Sequence, residues 1–97
     1  MERRQNARQR CRQVVKLVTG GKEHSGIITN ASRRGLYIQT SFPFRAGEII
    51  DVIFETGAKR YRTRAQIRWS KNVPLRYHSL AKRGIGVLTL ETREIDN

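Results

Sequence analysis

Residues 59–71 read KRYRTRAQIRWSK, and along them two sets of side chains take turns. Tyr61, Thr63, Ala65, Ile67 and Trp69 fall on one side, and Arg62, Arg64, Gln66 and Arg68 on the other. A period of two belongs to a strand, because successive side chains of extended backbone point to opposite faces. The first set therefore predicts a core face, Trp69 included, and the second a basic outer ribbon. No stretch of the chain carries a 3.6-residue apolar period, so helices are not expected.

The remaining apolar runs are short, rich in β-branched residues, and closed by turn formers. QVVKLVT (13–19) ends at Gly20-Gly21, KEHSGIIT (22–29) at Asn30, and LYIQT (36–40) runs into SFPFRAGE with Pro43 and Gly47. IIDVIFE (49–55) ends at Thr56-Gly57, and a long loop, NVPLRYHSLAKR, separates residues 59–71 from the last run, GIGVLTLE (84–91). Six short strands punctuated in this way predict an all-β barrel or sandwich. The closing TREIDN leaves room for one helical turn at most. With 97 residues the chain makes one domain, large enough to bury roughly 60–65% of its unfolded surface.

Residues 1–12 behave differently. They hold Arg3, Arg4, Arg8, Arg10 and Arg12 against a single acid, with no apolar face to pin them. Like charges repel, so we expect a flexible arm over residues 1–12 and a domain over 13–97. The arm carries no apolar segment after its charges and so does not resemble a secretory signal. No run approaches the roughly 18 apolar residues of a membrane span. Cys11 is the single cysteine, which suits a reducing compartment. A cytoplasmic location without membrane insertion is the resulting expectation.

Charge narrows the function. Lys and Arg number 20 against 8 acids, a net charge of +12, and 15 of the 20 are Arg. The guanidinium fork grips a phosphate or a guanine edge at two points, which the lysine point charge does not. A phosphate-bearing partner, nucleic acid or nucleotide, explains this bias; a generally Arg-rich proteome is the plainer alternative. Catalytic chemistry has little to work with. His24, His78 and Cys11 are too few and too scattered for a closed metal site. No Ser-His-acid arrangement or phosphate-binding Gly-rich loop is legible. We expect neither an enzyme, nor a metal, nor a cofactor.

Two short elements match one kind of ligand. Arg4-Gln5-Asn6-Ala7-Arg8 spaces two guanidiniums four apart, with Arg3 just before. NASRRG (30–35), between two predicted strands, offers the amide of Asn30, the hydroxyl of Ser32 and the small Gly35. Arg reads the O6/N7 edge of guanine and pairs with phosphate. An amide meets the N1/N2 edge, a hydroxyl donates to phosphate, and glycine allows close approach and positive φ.

ERRQNAR (2–8) followed by NASRRG (30–35) resembles the PilZ domain, whose signature is RxxxR and then [D/N]xSxxG. FRAGEIIDVIF, AQIRWS and GIGVLTL resemble later strands of the same family. The resemblance implies a six-stranded antiparallel split β-barrel and a receptor for cyclic di-GMP; this sequence departs from the family in having little or no C-terminal helix, the end being reduced to ETREIDN. It implies that Arg4 and Arg8 hold guanine edges and phosphates, that Arg3, also at the ligand, matches the family form that often takes two stacked ligand molecules, that Asn30 meets a guanine and Ser32 a phosphate or base, and that Gly35 gives room. Arg34 and Trp69 are added as further candidates, with Trp69 open between the ligand and the core. The expected mechanism is closure of the arm over the ligand, read by a downstream protein partner. Two alternatives stand beside it. One is a basic barrel binding RNA or DNA through phosphates. The other is a PilZ-type protein adaptor that has lost the ligand.

Overall fold

The computed structural model describes residues 9–71 and 83–95, with the side chains of residues 9, 10 and 71 excepted. Six strands account for nearly all of it: β1 (Gln9–Thr19), β2 (Lys22–Ala31), β3 (Gly35–Gln39), β4 (Ile49–Thr56), β5 (Lys59–Lys71) and β6 (Gly84–Ile95). Every pairing is antiparallel, and the strands close in the order β1-β2-β3-β6-β5-β4. The six-stranded barrel expected from the family resemblance is therefore the observed fold.

Local chemistry explains the turns. Gly20 and Gly21 adopt φ of 57° and 80°, and Gly57 a φ of 62°, values open to glycine without strain. They close the β1–β2 and β4–β5 hairpins. Alternation then fills the barrel. Val15 and Leu17 of β1, Ile38 of β3, Ile50 and Val52 of β4, Ala65 and Ile67 of β5, and Ile85 and Val87 of β6 are all buried. Each large aliphatic side chain contributes roughly 1.5–3 kcal/mol by leaving water. Phe44 reaches in from the β3–β4 connection and is buried to 1% exposure. The interior is thus packed with side chains, and a ligand has to bind outside it.

Closure is uneven. β1 meets β4 over only three pairs, Lys16–Ile53 to Val18–Asp51. Beyond them the strands separate, and the Gln13 side-chain amide donates to the Glu55 carbonyl at 2.7 Å.

Two boundaries differ from the sequence reading. β1 begins at Gln9, so residues 9–12, expected in the arm, form strand paired toward Ala31 and Asn30. A charged strand hydrogen-bonded along one edge shows no apolar alternation, which is why the pattern hid it. Residues 1–8 of the expected arm lie outside the described residues. At the other end, Thr92–Ile95 extend β6 against Arg60–Thr63 of β5.

Candidate functional site

The hairpin between β2 and β3 is short. Ser32 N–H donates to the Gly35 carbonyl at 2.9 Å, and its hydroxyl lies 3.4 Å from the same oxygen. The turn is fixed to β6 through the Arg34 carbonyl. That oxygen accepts from the Thr89 N–H at 2.9 Å and from the Thr89 hydroxyl at 3.1 Å. Arg33 and Arg34 are left exposed at the tip.

Gly35 performs one of its two expected tasks. Its φ is not among the positive values, so conformational freedom is not what the position needs. Space is: a Cβ there would sit 3.1 Å from the Val87 carbonyl oxygen, where the strands pass closely. Asn30 is also placed differently from the reading that put it in the turn. It belongs to β2, opposite Tyr37 of β3.

That pairing depends on an irregularity. Ile28 faces the core and pairs with Ile38, while Asn30 pairs with Tyr37, so Thr29 is an extra residue. A bulge shifts the strand by one and turns the residues beyond it to the other face. Asn30 consequently lies on the outer face with Tyr37. The β1–β2 register shifts at the same level, between Arg10 and Gln13, and sets Arg10 opposite Asn30.

β5 repeats the device. Ile67 pairs with Val87 and Trp69 with Gly86, with Arg68 unmatched between them. Strict alternation assigns Trp69 to the core; the bulge moves it to the outer face, where it is 42% exposed. Trp69 is therefore not a core residue. Three register shifts thus align one row across five strands: Arg10, Asn30, Tyr37, Gly86 and Trp69.

Glycines in β6 make the row usable. A Cβ on Gly86 would overlap the Trp69 indole, and one on Gly84 would overlap the Tyr37 phenol. The two rings lie over the glycines and stack on each other, with centroids 5.3 Å apart and planes 22° from parallel. Sequence reasoning passed over Tyr37 and Arg68. The available signal was the Gly-x-Gly of β6, which bares one face of a strand and invites aromatic cover from its neighbours.

The result is an open cleft of about 320 Å³, within the range of small-molecule sites. Asn30, Ser32, Arg34, Tyr37, Arg68 and Trp69 line it, and among the described residues no acid does. Of the expected site residues, Asn30, Ser32, Gly35, Arg34 and Trp69 are brought together here. Arg3, Arg4 and Arg8 lie outside the described residues.

The basic ribbon of β5 has a different character. Sequence shows no acid from residue 56 to 90, yet the sheet supplies acids from both neighbouring strands. Arg60 pairs with Glu55 at 3.4 Å, Arg62 with Asp51 at 3.5 Å, and Lys59 with Glu94 at 3.8 Å. Arg64 stands opposite both Asp51 and Glu91 in the ladders. The ribbon is largely neutralised, whereas Arg33, Arg34 and Arg68 at the cleft have no ion pair among the described residues.

No helix among the described residues is long and apolar enough to cross a membrane. No curated protein sequence matches the chain. Among solved structures, the Bacillus subtilis inhibitor of motility, MotI/DgrA, shares the fold, with a TM-score of 0.71 at 23% identity. The likeness covers 94% of this chain and 44% of that one, so the chain spans less than half the length of this structural relative. A family model settles the kinship that the turn, the bulged row and the barrel order suggest: residues 2–96 match the PilZ domain, and the chain belongs to that family.

Proposed function

We propose that this chain binds cyclic di-GMP in the cleft beside the β2–β3 turn and passes the signal to a partner protein in the cytoplasm. The observation that carries the reading is the bulged row, which sets an amide and two stacked rings beside Arg34 and Arg68 around a cleft that, among the described residues, has no acid.

Each residue has a part in this chemistry. The Asn30 carboxamide, on the outer face beside Tyr37, meets the N1/N2 edge of a guanine. The Tyr37–Trp69 stack gives a flat apolar wall against which a base packs. Arg34 and Arg68 supply charge for the phosphodiesters. The long 3.4 Å contact of Ser32 leaves its hydroxyl free to turn toward a phosphate oxygen. Gly35 keeps the floor low. Gln9 stands opposite Ala31 at the base of the turn, so the described chain begins beside the cleft. Arg4 is five residues from Gln9, within roughly 18 Å of extended chain. On this reading residues 1–8 close over the ligand, and the partner recognises the closed form.

The nucleic-acid alternative rests on the net charge of +12, but the β5 ribbon is a poor surface for it, because Arg60 and Arg62 are paired with Glu55 and Asp51. Calorimetry distinguishes the two. Cyclic di-GMP is expected to bind saturably at both low and physiological salt, and a short oligonucleotide only at low salt. Tight oligonucleotide binding at physiological salt with no heat from cyclic di-GMP overturns the proposal.

A further inference from the structure

β6 has twelve residues, but β3 covers only its first five, Gly84 to Leu88. Thr89 gives its N–H to the Arg34 carbonyl. From Leu90 to Ile95, the edge turned away from β5 has no backbone partner among the described residues. A bare strand edge is a template for another strand. Leu90 stands on it at 50% exposure, and Glu91, Thr92, Arg93 and Glu94 are exposed as well.

The order of charges on this edge is its own antiparallel complement. When the stretch is laid against itself with Thr92 facing Thr92, each Glu91 falls opposite an Arg93 of the other copy. Slipped one way, by one position Glu91 meets Glu94 and by two Arg93 meets Arg93; slipped the other way, by one the charges lose their opposite partners and by two Glu91 meets Glu91. Opposite charges directly across a ladder stabilise it and like charges destabilise it, so the Thr92 register is favoured over slips by one or two positions. The surrounding surface permits the approach. At net +12 two copies repel, but this end of the barrel is where Glu91, Glu94, Asp51 and Glu55 sit among their basic partners. Four acids there, Asp51, Glu55, Glu91 and Glu94, offset most of the charge of Lys59, Arg60, Arg62, Arg64 and Arg93.

We propose that the free edge of β6 is a homodimer interface, in which two copies pair β6 to β6 antiparallel about Thr92 with two-fold symmetry. The two barrels then share one sheet running β4-β5-β6-β6-β5-β4. Such a contact is isologous: Glu91 of one protomer meets Arg93 of its partner, and the reverse pair arises by symmetry. The interface is small and therefore weak, so assembly depends on protein concentration. The paired strand of the second copy ends beside the Arg34 turn, which places the interface next to the cleft. The inference does not depend on what the cleft binds.

Sedimentation equilibrium of the full chain over a range of concentrations tests it. Wild type is expected to pass from monomer to dimer. Glu91→Arg alone leaves two arginines on each edge, Arg93→Glu alone leaves two carboxylates, and each variant is expected to stay monomeric. Mixed in equal amounts, the two variants present opposite edges and are expected to form a heterodimer. Circular dichroism and melting curves on each variant establish that it folds, and the double variant Glu91→Arg/Arg93→Glu, which restores self-complementarity, is expected to dimerise if a single one does not fold. A monomeric wild type at every concentration overturns the proposal. So do single variants that dimerise like wild type, or a mixture of folded single variants, or a folded double variant, that remains monomeric.

Discussion

Trp69 is the only tryptophan in the chain, and it lies at the cleft against Gly86 and Tyr37. Intrinsic tryptophan fluorescence therefore reports on the site alone. Cyclic di-GMP is expected to change its intensity in a saturable way, with the same midpoint as calorimetry; an unchanged spectrum at saturation separates the ligand from the aromatic wall. Gly86→Ala places a methyl group where the indole lies. The ring must leave its seat, so the emission maximum shifts without ligand and binding weakens by tenfold or more, about 1.4 kcal/mol. Gly35→Val crowds the Val87 carbonyl and is expected to damage binding and to lower the melting temperature. Asn30→Asp is expected to be tolerated, because a carboxylate accepts from both N1–H and N2–H of guanine. Arg4→Ala and Arg8→Ala are each expected to weaken binding about tenfold to a hundredfold, the worth of one charge-assisted hydrogen bond. Affinities equal to wild type in both would place the site elsewhere.

Strands carry the site through their irregularities. Arg68 is the unmatched residue of its bulge, and β4 pairs with β5 only as far as Gln66, so nothing in a ladder depends on it. Deleting Arg68 leaves Ile67 opposite Val87 and Trp69 opposite Gly86. The shortened protein is expected to fold and to bind as Arg68→Ala does, as read by melting curves and fluorescence titration. A deletion inside a regular strand, such as that of Thr63, turns every later side chain over and is expected to prevent folding. These irregularities also mark where sequence reading stops. The hairpin glycines and the β-branched runs announce six strands, because turn chemistry and period two are local. A bulge leaves no such mark: Trp69 has the same spacing from Ile67 as any core residue, and only the partner strand reveals the extra position. The place of Asn30 is hidden for the same reason. The start of β1 is hidden because its edge is polar, and the neutralised ribbon because its acids come from β4 and β6, distant in sequence.

At the scale of the molecule, charge and order are the quantities to measure. Arg34 and Arg68 at the cleft have no ion pair among the described residues, while Arg60 and Arg62 of the β5 ribbon are paired, so oligonucleotide binding is expected to vanish between low and physiological salt. Backbone NMR relaxation of residues 1–8, with and without cyclic di-GMP, tests the proposed closure. Fixing each residue costs roughly 1–2 kcal/mol, so order is expected only with ligand present. Residues equally rigid in both states, or equally mobile, would remove closure from the mechanism and leave binding intact.

The packed interior has a further consequence. Among the described residues eleven buried apolar side chains, from Val15 to Val87, fill the barrel. Matter packed to that density is nearly incompressible, so a ligand on the outer wall has no soft interior through which to push. On the proposed reading, free and loaded barrels share one shape, and the difference between them is confined to their skin. A protein that tells them apart has to touch the nucleotide itself, the turn that holds it, or the few residues ahead of Gln9. The message is an altered epitope rather than an altered fold, and a substitution deep in the core can cost stability without changing what is said.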